Sequence, residues 1–328
     1  MIRRVLCVGT EGAAAAFRRA AGFGGASGET PGEVLVVEGD GRGVRDRVLA
    51  RLAAGEGDYD AVCVLEPLPG LADIVAACGE AGLSVLVAGP PTEDLGELER
   101  LAAAFAWPRA ALAAGGLVAA APAACAVLEA AAGRRVGAPV YLRYAAEAGT
   151  PDALLWHAAD AIDFAAEALG EPVDVCAAGV QDASGALVHV ALTVRHRAGA
   201  VAVLGLGCAD SGGGVGGGPG GDGRGDHASV ATRGYSSLLL IGDRGVVEGQ
   251  PAAGGVIVRD GDPAPAATGL RDDYAAGLAG WLTASESLLD GEAPHAAALR
   301  RARRLVGAAA AVRRSLRTGQ PERVMSDE

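Results

Sequence analysis

The sequence contains no lysine, so arginine supplies all 28 of its basic residues. Forty acidic residues outnumber them and leave a formal net charge of −12. Nucleic acids and anionic membranes are bound by basic side chains that neutralise phosphates, and this acidic chain has no basic run of that kind. We therefore expect neither a nucleic acid nor a membrane as a partner.

Paired cysteines are also missing, since no Cys-x-x-Cys spacing occurs. The cysteines stand singly in apolar surroundings, which predicts reduced core thiols and excludes a disulfide framework or a zinc site. They are Cys7, Cys63, Cys78, Cys125, Cys176 and Cys208. His189 and His196 lie seven residues apart in a strand-like run, so they point to opposite faces and predict no shared metal site.

The amino terminus lacks the apolar length and the cleavage site of a secretory signal, so we expect a cytoplasmic protein. The uncharged stretch 110–128 approaches the length of a membrane span. It consists mostly of alanine and glycine with Pro122 inside, and these residues do not drive membrane insertion. We expect a buried strand leading into a helix there.

Half of the residues are apolar, which is a globular composition, and 328 residues suffice for two domains. Residues 1–119 alternate strand and helix signals, the pattern of an α/β fold with a doubly wound parallel sheet. Predicted strands are 5–9, 34–37, 60–65, 85–87 and 112–119, and predicted helices are 13–21, 44–54, 71–81 and 93–104.

Residues 120–328 predict a second, α+β domain with a mostly antiparallel sheet, because long period-two runs follow a helix at 154–169. Two helices at 274–289 and 296–316 end the chain. Residues 211–226 are mostly glycine and cannot bury enough apolar surface to offset their ordering entropy, so we expect a flexible loop.

Four segments in this order resemble the Gfo/Idh/MocA family of nicotinamide-dependent oxidoreductases. They are 60–67 (DAVCVLEP), 81–90 (AGLSVLVAGP), 135–144 (RVGAPVYLRY) and 235–249 with its LLLIGDRGVV core. The resemblance covers nearly the whole chain. It implies an N-terminal Rossmann domain and a C-terminal open-faced sheet, NAD as cofactor, a sugar-like or polyol-like substrate and a homo-oligomer.

The resemblance also implies where the dinucleotide lies. Its diphosphate meets the turn Gly9-Thr10-Glu11-Gly12, although Glu11 stands where the second glycine of the Gly-x-Gly-x-x-Gly pattern is expected. Glu38 can accept a hydrogen bond from the ribose, which favours NAD over NADP. The strand ends Glu66-Pro67 and Gly89-Pro90 complete the implied cofactor site.

The largest departure from the family lies at Ala88-Gly89-Pro90, where the family has Glu-Lys-Pro. The family lysine assists proton transfer beside the nicotinamide, and this chain has no lysine to replace it. Two other functions therefore stay open. One is a redox-inactive member that serves as a binding or partner subunit, and the other is a cofactor-independent dehydratase or epimerase.

The remaining candidate for acid and base chemistry is the helix that contains His157, Asp160 and Asp163. Residues three apart on a helix are neighbours on one face, so a carboxylate can orient the imidazole of His157. The segment resembles the family's His-x-x-Asp, with His157 and Asp160 in those places. Counting back from Gly170 instead puts the family's histidine at Asp160 and its aspartate at Asp163.

Overall fold

The computed structural model describes residues 5–9, 11–20, 32–36, 43–54, 59–105, 110–148, 150–208, 235–250, 255–259, 274–289 and 295–325. Thr10, Glu38 and the glycine-rich stretch 211–226 lie outside the described residues. The predictions made for them therefore stay predictions.

The first sheet contains five parallel strands in the order β2-β1-β3-β4-β5. Strands β1, β3, β4 and β5 are short and buried on both faces, as expected where helices cover both sides of a parallel sheet. The strands are β1 (Val5–Gly9), β2 (Gly32–Val36), β3 (Ala61–Val64), β4 (Ser84–Val87) and β5 (Leu112–Ala114). The intervening helices are α1 (Glu11–Ala20), α2 (Val44–Ala54), α3 (Leu71–Glu80) and α4 (Leu95–Ala104).

Strand β5 is shorter than the predicted strand 112–119, and the prediction of its end was wrong. Gly115 and Gly116 follow it with φ angles of +66° and +89°, which turn the chain out of the sheet. Left-handed φ angles of this kind favour glycine. Helix α5 (Pro122–Ala132) then begins with proline in its first turn, so the predicted strand-to-helix transition is confirmed.

The second sheet has eight strands in the order β12-β11-β10-β6-β9-β8-β7-β13. Among the described strands of this sheet, β6 and β9 are the one parallel pair, so the mostly antiparallel sheet and the overall fold class are confirmed. The strands are β6 (Pro139–Ala148), β7 (Pro172–Gln181), β8 (Leu187–His196), β9 (Val201–Cys208), β10 (Tyr235–Gly242), β11 (Val246–Gln250), β12 (Gly255–Arg259) and β13 (Glu322–Arg323).

Helix α6 (Pro151–Leu169) packs on β6, β8 and β9 of this sheet. It begins one turn before the predicted 154–169, because the side chain of Thr150 accepts a hydrogen bond from the backbone N–H of Ala153, at 3.2 Å. Proline at the first helical position suits such a start.

The last two helices are α7 (Tyr274–Leu289) and α8 (His295–Thr318). Helix α7 packs against α1, and its Leu278 and Trp281 join the apolar cluster on one face of the first sheet. Helix α8 contacts β5, α4, α6 and β7. The two helices therefore connect the two sheets, and the division at residues 119 and 120 stays a prediction.

The cysteines divide between the core and the surface. Cys7, Cys63 and Cys78 are buried, as predicted, and Cys208 is half-buried, but Cys125 and Cys176 are exposed, so the prediction of core thiols was wrong for these two. Cys176 faces outwards because side chains alternate between the two faces of strand β7. Within the described part of the chain, no helix is both long and apolar enough to cross a membrane.

Candidate functional site

Several of the predicted site residues lie where the strands of the first sheet end. In a parallel sheet all carboxyl ends lie at one edge, and ligands bind in the crevice outside that edge. Helix α6 reaches this edge from the second domain, because Trp156 contacts the segment after β4 and Asp160 contacts the segment after β5. The edge therefore combines residues from both predicted domains.

The end of β1 and the start of α1 share two features with a diphosphate-binding site. A Cβ atom on Gly9 would lie 3.1 Å from the Cβ of Ala13, so strand and helix approach each other closely. Helix α1 begins at Glu11, directly after this turn, and its first backbone N–H groups can receive an anion. Close packing of strand against helix and a helix start directly after the strand are typical of such a site, whereas Glu11 replaces the glycine that lets the backbone approach the diphosphate.

At position 89, where the family has a lysine, the ring of Trp156 fills the space beside the glycine. A Cβ atom on Gly89 would lie 2.6 to 2.9 Å from three ring atoms of Trp156, which real Cβ atoms do not tolerate. The indole thus fills the space that any side chain at position 89 would enter. Gly89 and Trp156 fit one another, so position 89 cannot accept a lysine without displacement of the indole.

A cleft of about 300 Å³ adjoins this contact, and we call it the Trp156 cleft. Pro67 after β3 and Pro90 after β4 line it together with Trp156 and Leu155 of α6. Two of the predicted cofactor-binding residues therefore share a cavity. The guanidinium of Arg313 in α8 also lines this cleft, where it forms an ion pair with Glu93.

His157 is hydrogen-bonded to a phenol. Its Nε2 atom lies 2.9 Å from the hydroxyl oxygen of Tyr144 on β6, and the two rings stack with centroids 5.9 Å apart. Burial lowers the pKa of His157 to about 4, so the ring is neutral at pH 7. Tyr144 is only 5% exposed, whereas its neighbour Arg143 faces solvent.

Asp160 holds the chain after β5. Its two carboxylate oxygens accept hydrogen bonds from the backbone N–H groups of Gly116, at 2.5 Å, and Val118, at 2.7 Å. Burial, reinforced by the nearby carboxylate of Asp163, raises the pKa of Asp160 to about 7. Asp160 is therefore bound to the β5–α5 connection and not to His157.

Asp163 is fully buried and binds two arginines of α8. Arg304 contacts one of its carboxylate oxygens through Nε, at 2.6 Å, and through Nη2. The Nε atom of Arg301 lies 3.0 Å from the other oxygen, and Arg301 also pairs with Glu167. This group joins α6 to α8.

The three predicted catalytic residues thus share one helix but have three different partners. A catalytic role for each stays a prediction. Of the residues around His157, Tyr144 was the hardest to predict from the sequence, because a tyrosine on a strand is usually a packed or solvated residue. The alternation of Arg143 and Tyr144 indicates that only one of them can face α6, but not which.

Asp160 and His157 should give opposite contributions to the pH dependence of stability. The pKa of Asp160 is raised above its ordinary value of 3.8, so the folded protein keeps a proton that the unfolded chain releases. The contribution of Asp160 to the free energy of unfolding therefore falls as pH rises from about 4 to about 7. The pKa of His157 is lowered from 6.5, so its contribution rises as pH rises from about 4 to about 6.5.

Denaturant unfolding across this pH window can separate the two groups. Relative to the wild type, Asp160→Asn should become more stable with rising pH, and His157→Gln should become less stable, because each variant retains only the opposing group. Parallel curves for the wild type and either variant would contradict the corresponding shift. Glu171→Gln, which removes a charge from a surface ion pair, is the control.

No family model and no curated protein matches the chain. Solved structures do match over their full length. A levoglucosan dehydrogenase in complex with NADH is 13% identical with a TM-score of 0.68, and 99% of each chain is covered. An oxidoreductase from Agrobacterium radiobacter in complex with NAD+, L-tartaric acid and magnesium is 12% identical with a TM-score of 0.66 over 99% of each chain.

A third solved structure, an NAD-binding oxidoreductase from Klebsiella pneumoniae, is 14% identical with a TM-score of 0.64 and full coverage of both chains. The chain has the fold of these proteins. The fold implied by the Gfo/Idh/MocA resemblance is therefore confirmed. Identities this low establish the fold, and the activity of this chain is a separate question.

Proposed function

We propose that the protein is an NAD-dependent oxidoreductase that acts on a sugar-like or polyol-like small molecule. The observation that carries the proposal is the full-length fold, shared with oxidoreductases solved with NADH or NAD+, and it is supported by the close packing of β1 against the start of α1. The likeness to a levoglucosan dehydrogenase supports the substrate class.

In this proposal the dinucleotide lies along the carboxyl edge of the first sheet. Gly9 and the first N–H groups of α1 would receive the diphosphate, and Glu38 would bind the ribose. Glu66 and Pro67, with Gly89 and Pro90, would line the far end. When bound, the nicotinamide supplies the acceptor or donor of a hydride.

The protein itself has to move a proton, because oxidation of an alcohol releases one from the hydroxyl. Neutral His157 can accept it. If Nε2–H donates to the oxygen of Tyr144, the ring carries its proton on Nε2 and leaves Nδ1 as the basic atom. Tyr144 is then a positioning residue that sets the tautomer of His157.

A second function is favoured by one specific observation, the contact between Gly89 and Trp156. The indole fills the space where the family lysine would act, and no lysine exists elsewhere in the chain. A redox-inactive protein that serves as a binding or partner subunit fits this arrangement. A dinucleotide titration separates the two functions.

Purified protein should bind NADH, measured by calorimetry, and should bind it more tightly than NADPH, because Glu38 would repel a 2′-phosphate. Glu11→Gly should strengthen the binding of both, because it removes a negative charge near the diphosphate. Glu129→Gln, on α5 and outside the implied dinucleotide site, is the matched control. If neither nucleotide binds to the wild type or to Glu11→Gly, the oxidoreductase proposal is refuted.

A further inference from the structure

A second cleft opens at the carboxyl end of β5, between helices α7 and α8, with a volume of about 410 Å³. Three guanidinium groups line it, and we call it the arginine cleft. The residues used below are Gly116, Trp281, Ala284, Arg300, Arg301 and Arg304. Such a concentration of positive charge is notable in a protein with a net charge of −12.

The three arginines that line this cleft form ion pairs with only two carboxylates among the described residues. Arg301 and Arg304 share the carboxylates of Asp163 and Glu167. Arg300 is exposed and has no carboxylate partner among the described residues. Asp160, the next carboxylate on α6, is already bound to two backbone N–H groups of the β5–α5 connection.

Arg301 and Arg304 also have N–H donors that their carboxylate partners do not use. Arg301 contacts its carboxylates through Nε and Nη2, and Arg304 contacts Asp163 through the same two atoms. A guanidinium has five N–H donors, so the Nη1 group of each is left without a partner among the described residues. The Nη1 atom of Arg301 lies 2.8 Å from the place of a Cβ on Gly116, so this donor lies directly beside the glycine.

The remaining walls are mostly apolar, and their one polar side chain, Ser285, already donates to the backbone oxygen of Trp281. The indole N–H of Trp281 donates to the backbone oxygen of Gly115, at 2.8 Å, which holds the ring in place. Alanines of α7 and α8, Ala284 among them, complete the walls. A ligand for this cleft therefore needs an anionic group and a compact body.

We propose that the arginine cleft binds a small organic anion, a carboxylate or a phosphate ester, through Arg300 and the free Nη1 groups of Arg301 and Arg304. Carboxylate and phosphate both match the geometry of guanidinium donors. The proposal does not depend on the oxidoreductase function, because the Trp156 cleft lies at β3 and β4.

Calorimetric titration at low ionic strength tests the proposal with two probes, gluconate for a carboxylate and glycerol 3-phosphate for a phosphate ester. The wild type should bind at least one of them. Arg300→Gln should weaken that binding about tenfold or more, because a charge-assisted hydrogen bond is lost. Arg300 is exposed, so this variant should keep the melting temperature of the wild type.

Arg317→Gln is the matched control, since it removes an exposed arginine from the same helix about 25 Å away along its axis. It should bind as the wild type does. Ala284→Phe should abolish binding by filling the cleft without any change of charge. Absence of binding for both probes overturns the proposal, and so does equal affinity of the wild type, Arg300→Gln and Ala284→Phe.

Discussion

Replacement of Asp163 by asparagine is expected to lower the free energy of unfolding by about 3 kcal/mol, because it leaves two guanidinium groups without their buried counter-charge. The Asp163 side chain is 0% exposed, and those of Arg301 and Arg304 are 35% and 28% exposed. Water can therefore compensate part of the loss at the arginines, which places the effect at the lower end for a buried ion pair. Urea unfolding at pH 7 measures it.

Glu99→Gln is the matched control, because Glu99 pairs with Arg303 of the same helix in an exposed position. An exposed pair contributes less than about 1 kcal/mol, so this variant should remain close to the wild type. Equal stabilities of Asp163→Asn and Glu99→Gln would show that the group does not connect α6 to α8 energetically.

The partners of Asp163 also bear on how helix α6 aligns with the family's His-x-x-Asp, which falls either on His157 and Asp160 or on Asp160 and Asp163. Counting back from Gly170 assigns the family's aspartate to Asp163. Its carboxylate is bound by Arg301 and Arg304, and no candidate base or phenol contacts it among the described residues. The structure therefore favours a structural role for Asp163, whichever register is adopted.

The fold could be predicted from the sequence because its information is local. Apolar runs that end in glycine or proline mark the strands of the first sheet, and α2 and α7 match their predicted limits, 44–54 and 274–289. The early start of α6 could also have been found, because Thr150-Pro151 is a recognisable helix start. The predicted strand at 112–119 was too long because the apolar run continues past Gly115 and Gly116, where the observed β5 has already ended.

The site was less predictable because its contacts are distant in sequence. Arg304 meets Asp163 across 141 residues, and a residue pattern carries no information about which faces of α6 and α8 meet. Spacing alone suggested that Asp160 orients His157. In the structure, burial requires each carboxylate to find donors, and backbone N–H groups or arginines supply them better than an imidazole.

The second large effect is expected at His157. If the protein oxidises a polyol or reduces a keto-sugar, His157→Gln should lower kcat by about 10²- to 10⁴-fold, the usual contribution of a positioned acid or base. The dinucleotide affinity should not change, because the imidazole is not part of the implied dinucleotide site. Steady-state rates and a nucleotide titration on the same samples provide both numbers.

Tyr144→Phe distinguishes positioning from packing. It keeps the ring that stacks on His157 and contacts Phe164, and it removes only the hydroxyl that meets Nε2. We expect a fall in kcat of about tenfold, in line with the loss of one hydrogen bond, with a KM close to that of the wild type. Nitrogen-15 spectra of the imidazole should show a change in tautomer, which loss of packing alone would not produce.

Asp160→Asn completes this series, because Asp160 occupies the family's histidine position in the alternative register. If His157→Gln keeps full activity and Asp160→Asn loses it at a comparable folded fraction, the alternative register is correct and the acid or base is Asp160. The pKa of about 7 for Asp160 would suit that role, whereas the pKa of about 4 for His157 limits the imidazole to accepting protons near neutral pH. A pH–rate profile then decides between them, because the rate should respond near pH 7 only if Asp160 carries the proton.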